Sequence, residues 1–224
     1  MIKRENTIKV KEFFEEFILE IGGQKDFFKD SVFLDLEHYL YKKPICIGVF
    51  GCCYFDNKTN ELKVTQYMIE NKKDALPILD LAKEYLIEMC EKHNKKYIVT
   101  FSGNNDFMVI DYLFEKNKID LKIDDCYKKI DLQREYEKLT GENIGLKNLE
   151  KKFDIHRESE LISGSNLSKT FCKVMKDPDY INRMPEEKRQ RILLYNEQDV
   201  VSLFRIYVDW KKYLNEKEYL KEKE

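Results

Sequence analysis

Apolar residues along this chain recur with two periods, and the switches between them outline the elements. From Val10 to Ile21, Phe13, Phe14, Phe17, Ile18 and Ile21 are spaced by three and four among Glu15, Glu16 and Glu20, which predicts an amphipathic helix ended by Gly22-Gly23. Residues 1–23 therefore read as a helical N-terminal extension. Val32 to Glu37 then reads as a strand, ICIGVFGCCYF after Pro44 as a second, and ELKVTQYMI, beyond the DNKTNE turn, as a half-exposed third. Tight connections make these three an antiparallel meander.

Beyond the meander the rhythm becomes mixed. Asp74 to His93 carries Ile78, Leu81, Ala82, Tyr85, Leu86 and Met89 on one stripe, with Pro77 near its start, and predicts a helix. KKYIVTFSG is a short buried strand that stops at Gly103, Asn105 to Glu115 a helix, and Ile123 to Ile130 a strand. Helices between strands imply parallel crossovers added to the meander, so the expected fold is α/β, with a mixed five-stranded sheet flanked by helices. From Asp131 onward only the helical period remains, in Leu132–Leu139, Leu146–Phe153, Leu167–Met175 and Glu186–Tyr213, interrupted by TGENIG, ISGS and Asp177-Pro178. These helices read as a wall on the sheet. The expectation is one domain over residues 1–224, with its core at 24–214 and a charged tail at 215–224.

Composition narrows the class without choosing a function. At 224 residues, 42% hydrophobic and 37% charged, the chain can bury a sizeable core under a charged surface and is not of the disordered type. A net charge of −2 gives no whole-molecule field toward nucleic acid or a membrane. No stretch approaches the roughly 18 uninterrupted apolar residues of a membrane span, and the start lacks a signal peptide's apolar middle, so a cytoplasmic location is expected. The six cysteines form no C-x-x-C pair and read as small buried apolar residues.

Candidate chemistry begins at SVFLDLE. On a strand, Phe33, Asp35 and Glu37 share one face, and two carboxylates there repel unless a cation lies between them. A divalent metal with oxygen ligands answers that need, although an acid-x-acid pair is also met as a solvated strand end. Asp106 opens the helix after the buried strand, where an acid is also simply favourable in a first turn. Tyr195 and Asp199 lie four apart on one helical face that also carries Ile192 and Leu203. A carboxylate in an apolar row costs free energy unless it is paired, hydrogen-bonded or on a metal.

In this order and context, the motifs resemble those of the DEDD exonucleases of the ribonuclease H-like superfamily. The tyrosine, with Leu at position 194 where the histidine branch carries His, is similar to the DEDDy branch of 3′-5′ exonucleases. The chain most resembles the predicted exonuclease family described as a ribonuclease H-like domain, also through GLKNLEKKFDI, an ISGS-like turn and YNEQDVVSL, from about Val32 to Tyr207. It departs from that family at the second motif, where Asn105 rather than an aromatic precedes Asp106. Alignment there needs a one-residue deletion, and Asp111 is the alternative acid.

The resemblance implies a ribonuclease H-like fold and two-metal hydrolysis of phosphodiester bonds in DNA or RNA. It implies that Asp35 bridges two divalent ions, Mg2+ or Mn2+, that Glu37 and Asp199 complete one site, that Asp106 holds the other through water, and that Tyr195 orients the attacking water. Acid ligands without His or Cys suit these metals better than zinc. An endonuclease with the same metals and a non-catalytic binding module on the same fold stay open. Lys147, Lys151, Lys152, Lys188, Arg189 and Arg191 are candidates to meet phosphates, and Phe101 and Phe107 to stack on bases, but each also fits an ordinary surface or core position. His38, His93 and His156 share no metal-ligand spacing.

Overall fold

The computed structural model describes residues 1–157 and 164–214. Six strands form one mixed sheet: β1 (Ile2–Lys9), β2 (Ser31–Tyr41), β3 (Lys43–Asp56), β4 (Glu61–Met68), β5 (Tyr97–Thr100) and β6 (Lys128–Asp131). Their spatial order is β1-β4-β3-β2-β5-β6. The pairs β1/β4, β4/β3 and β3/β2 are antiparallel, whereas β2/β5 and β5/β6 are parallel. The expected meander and parallel crossovers are therefore present, with β2 where the two halves of the sheet meet.

The longer helices are α1 (Pro77–Glu91), α2 (Asn104–Lys116), α4 (Leu132–Thr140), α5 (Leu146–Lys152), α6 (Gly164–Lys176) and α8 (Glu186–Val208). Single turns are α3 (Ile123–Cys126), α7 (Tyr180–Arg183) and α9 (Trp210–Tyr213). Alternation along β2 sends Val32, Leu34 and Leu36 into one core with α1, α2 and α6, through Ile78, Leu86, Ile110 and Phe171. Phe33 points the other way, into a second core with Val200, Phe204 and Tyr207 of α8. Asp35 and Glu37 share the parity of Phe33, so the fold delivers them to the α8 side.

Two expectations are corrected at the ends of the sheet. Residues 2–9 form an edge strand with alternating burial rather than part of a helical extension, which raises the strand count from five to six. Val10 to Ile21 is not an α-helix either: only Glu15–Phe17 makes a 3-10 turn. The physical reason is tertiary. Phe13 packs edge-on against Phe28, Phe55 and Phe204, and the Leu19 N–H donates to the Tyr207 carbonyl at 2.9 Å. Ile18, already extended at φ −68° and ψ 140°, and Leu19 are both buried. Likewise, the segment expected to be a strand from Ile123 begins as the turn α3, and only Lys128–Asp131 pairs with β5. The first half of ISGS and the whole charged tail lie outside the described residues.

Two glycines on β3 let helices approach the sheet. A Cβ at Gly48 would fall 2.3 Å from the Phe171 ring of α6, and one at Gly51 would fall 1.9 Å from the Asn196 Oδ1 of α8. Gly48 is also the residue skipped where the β2/β3 register shifts, between Glu37 and His38, so a bulge lies beside Glu37. Gly51 is the cross-strand partner of both Asp35 and Gln66. Gly51→Ala should force α8 off the sheet, lowering stability by about 1–3 kcal/mol. Urea unfolding checks this, and an unchanged midpoint would mean that α8 does not depend on this contact.

Candidate active site

Neighbouring strand residues and one long helix bring the predicted acids together. Asp35, Glu37 and Asp199 each offer a carboxylate oxygen, and the three atoms lie within 4.8 Å of one another. Asp199 sits on the face of α8 expected for it: Ile192, Tyr195, Asp199 and Leu203 are all buried. Asp106 is buried in the first turn of α2, whose N-cap residue is Gly103, and it stands outside the group of three. It is close enough that its charge raises the pKa of Glu37, and those of Asp35 and Asp199 raise its own. Asp111 does not join them. It lines a separate cavity of about 400 Å³ with Glu115 and Asp124, and its charged neighbours are Lys129 and Asp124.

Burial and mutual repulsion set the electrostatics. Desolvation pushes Asp35 up to about 6, opposed by the Asn196 hydrogen bond and the charge of Arg157. Glu37, Asp106 and Asp199 are raised well above the usual carboxylate range, first by burial and then by the charge of Asp35. Tyr195 is also pushed upward, by burial first and by Asp199 second, which keeps its phenol protonated.

Several residues around the acids were not anticipated. Asn196 donates from Nδ2 to Asp35 Oδ2 at 3.0 Å and to the Asp35 carbonyl at 3.2 Å. Gln66 donates from Nε2 to Asn196 Oδ1 and to the Leu193 carbonyl, both at 2.8 Å. Arg157 pairs with Glu150 and Asp199, and its guanidinium carbon lies 5.1 Å from the Tyr195 ring centre. Asp131 accepts from the backbone N–H groups of Ser102 at 2.9 Å, Gly103 at 3.1 Å and Gln133 at 3.0 Å, which fixes the turn that leads into α2 and Asp106.

Signals for two of these exist in the sequence. Gln66 falls on the buried parity of β4 with Leu62, Val64 and Met68, and Glu150 falls on the buried stripe of α5 beside Leu149. A polar residue at an apolar position of a regular pattern marks a buried polar contact. Arg157 lies outside any periodic element and carries no such mark.

The other candidates divide. Lys147 is at the site, 5.0 Å from the Tyr195 ring centre. Lys152 instead donates to the Tyr136 hydroxyl at 2.7 Å, and Lys151 is exposed. Arg189 and Arg191 pair with Glu186 and Glu187 in the first turns of α8, where Lys188 is also exposed. Phe107 is in the core beneath Lys129, and Phe101 packs on the α8-side core. His93 lies against Tyr54, and His156 lies 3.0 Å from Asp154.

A model of the RNase_H superfamily, RNase_H_2, matches residues 32–211, from the first residues of β2 into α9. The chain belongs to the RNase_H_2 family. No curated protein matches it. The match spans β2 to β6 and α8, so the acids described above lie within it, whereas β1 lies before it. The RNase H-like fold is that of metal-dependent nucleases acting on nucleic acid. The donor set fits such metals: three carboxylates converge and, among the described residues, no His or Cys joins them, which suits hard, oxygen-seeking ions. Among the described residues no helix is long and apolar enough to cross a membrane.

The raised pKa of Asp35 has a testable sign. Its folded value of about 6 exceeds the ordinary 3.8, so the folded state holds the proton more tightly, and this contribution to stability is lost as pH rises through 6. In chelator, Asp35→Asn should therefore be more stable than wild type by roughly 1–3 kcal/mol at about pH 8, with the advantage vanishing toward about pH 4. Thermal unfolding across that range measures it. A variant equal to or weaker than wild type at the upper end would show that Asp35 is not held against desolvation.

Proposed function

We propose that this protein is a two-metal nuclease of the DEDDy type that removes nucleotides from the 3′ end of single-stranded DNA or RNA. The observation that carries the reading is the convergence of Asp35, Glu37 and Asp199, with Tyr195 one helical turn before Asp199. The resemblance of the motif order to DEDDy exonucleases supports the direction of attack.

In this reading Asp35, Glu37 and Asp199, with Asp106 nearby, would hold divalent ions, Mg2+ or Mn2+. When bound, the ions supply charge neutralisation at the scissile phosphate and the departing oxygen, and they make the attacking water more acidic. The chain's own groups supply orientation. Asn196 fixes the rotamer of Asp35, and Gln66 fixes Asn196, so the Asp35 carboxylate would meet a metal ion without rearranging. Tyr195 acts as a positioning hydroxyl rather than a base, because its pKa is displaced upward, away from neutrality. Asp106 is offered by the first turn of α2, whose entry Asp131 clamps.

The test is incubation of 5′-labelled single-stranded DNA and RNA with Mg2+ or Mn2+. A stepwise ladder shortening from the 3′ end is expected. Asp35→Asn and Asp199→Asn should lower cleavage by several orders of magnitude while remaining folded, and Tyr195→Phe by about 100-fold. Discrete internal cuts would make the protein an endonuclease. Retarded but uncut substrate would make it a binding module, and wild-type rates in either Asn variant would remove the acids from the mechanism.

A further inference from the structure

Arg157 is a cation beside the acid cluster, paired with Asp199, and its hydrogen bonds are unevenly spent. Nε donates to Glu150 Oε2 and Nη2 to Glu150 Oε1, each at 2.6 Å, and Nη2 also donates to Asp199 Oδ1. The side chain is only 5% exposed. Its Nη1, which carries two N–H donors, is buried and has no hydrogen-bond partner among the described residues. Buried donors of a charged group are ordinarily satisfied, so one left open in a candidate active site calls for a ligand.

The geometry of the guanidinium indicates where that ligand would sit. Glu150 takes the Nε/Nη2 side of the fork. The end of the fork is made by the second N–H of Nη2, given to Asp199, and by one N–H of Nη1, which in a planar guanidinium runs nearly parallel to it. The unanswered donor therefore faces the same side as the Asp199 carboxylate. Two restraints fix this direction: the bidentate Glu150 contact and the Tyr195 ring lying 5.1 Å from the guanidinium carbon.

Charge points the same way. Glu150 formally neutralises Arg157, so the pair does not remove the need of Asp35, Glu37, Asp106 and Asp199 for cations, and Arg157 is not a substitute for metal. What the pair adds is a rigid donor edge beside the acids. A guanidinium edge suits a planar or tetrahedral oxyanion, and at a phosphodiester-cleaving site that oxyanion is the substrate phosphate. We propose that Arg157 contacts the substrate, its Nη1 donating to a non-bridging oxygen of the phosphate held at the acid cluster, with Glu150 as the residue that aims it. This inference rests on the nuclease reading above.

The experiment pairs a substrate change with a protein change. Fluorescently labelled oligonucleotides carrying either ordinary phosphates or one methylphosphonate at the scissile position, as separated diastereomers, are bound to the folded protein in Ca2+ and followed by anisotropy. Cleavage is measured in parallel in Mn2+. Removing the phosphate charge should weaken wild-type binding. In one diastereomer that penalty should shrink by about 10- to 100-fold in Arg157→Met, because the contact has already been lost. Arg157→Lys keeps a cation without the fork and should show an intermediate penalty, which preserves the test if the Met variant does not fold.

A full penalty in both diastereomers for the folded variants would make Arg157 a structural support of Asp199 and overturn the inference, even if cleavage falls. Wild-type protein that neither binds nor cuts would overturn the nuclease reading and this inference together. Wild-type cleavage with additive effects would overturn the inference alone.

Discussion

Four carboxylates drawn into one desolvated region of the fold are the constraint to which the rest of the structure answers. Burial raises the pKa of Glu37, and the charges of Asp35, Asp199 and Asp106 raise it further. Water would relieve the cost of burial if the acids lay on an open strand end, but Glu37, Asp106 and Asp199 are buried and Asp35 is only partly exposed. Their persistence in this arrangement requires compensation of two kinds. Asn196 and Arg157 provide part of it with hydrogen bonds and charge, and divalent cations, which the family's fold implies, would provide the remainder.

The closeness of α8 to the sheet makes that arrangement possible. Gly51 removes the one side-chain atom that would collide with Asn196, and the same residue is the strand partner of Asp35 and of Gln66. A row across three strands therefore ends in a helix amide that holds the Asp35 carboxylate. On the other face of the sheet, Gly48 admits Phe171 of α6 beside the bulge at Glu37. Packing and site geometry are thus set by the same contacts, so a substitution that loosens the helix also misplaces the ligands. Arg157 adds a restraint from outside the sheet, linking α5 through Glu150 to α8 through Asp199.

Much of this was legible from residue pattern because the elements concerned have regular periods. The alternation in SVFLDLE placed Asp35 and Glu37 on one face, and the four-residue spacing of Tyr195 and Asp199 placed them on one stripe of a buried helix. Residues 1–21 were misread because threes and fours among Phe13, Phe17 and Ile21 imitate a helix, whereas tertiary contacts with Phe28, Phe55, Phe204 and Tyr207 hold the segment extended. The strand Ile2–Lys9 carries no apolar alternation, because its inward positions include Arg4 and Asn6, which reach Glu197 rather than an apolar core. Arg157 and Asp131 act through long-range contacts that no local pattern records. Asp106 and Asp111 both lie on α2, and no local pattern records that Asp106 is buried near the other acids while Asp111 lines a separate cavity.

The claim on which the account depends is that this buried acid cluster is a seat for divalent cations. Anomalous diffraction from crystals grown with Mn2+ addresses it without reference to any reaction. The account predicts two peaks about 3.5–4 Å apart, both touching Asp35, one shared with Glu37 and Asp199 and the other on the Asp106 side. A map with no peak among these residues, while Arg157 still binds Asp199, would contradict it and leave the cluster as an ion-pair network of the fold.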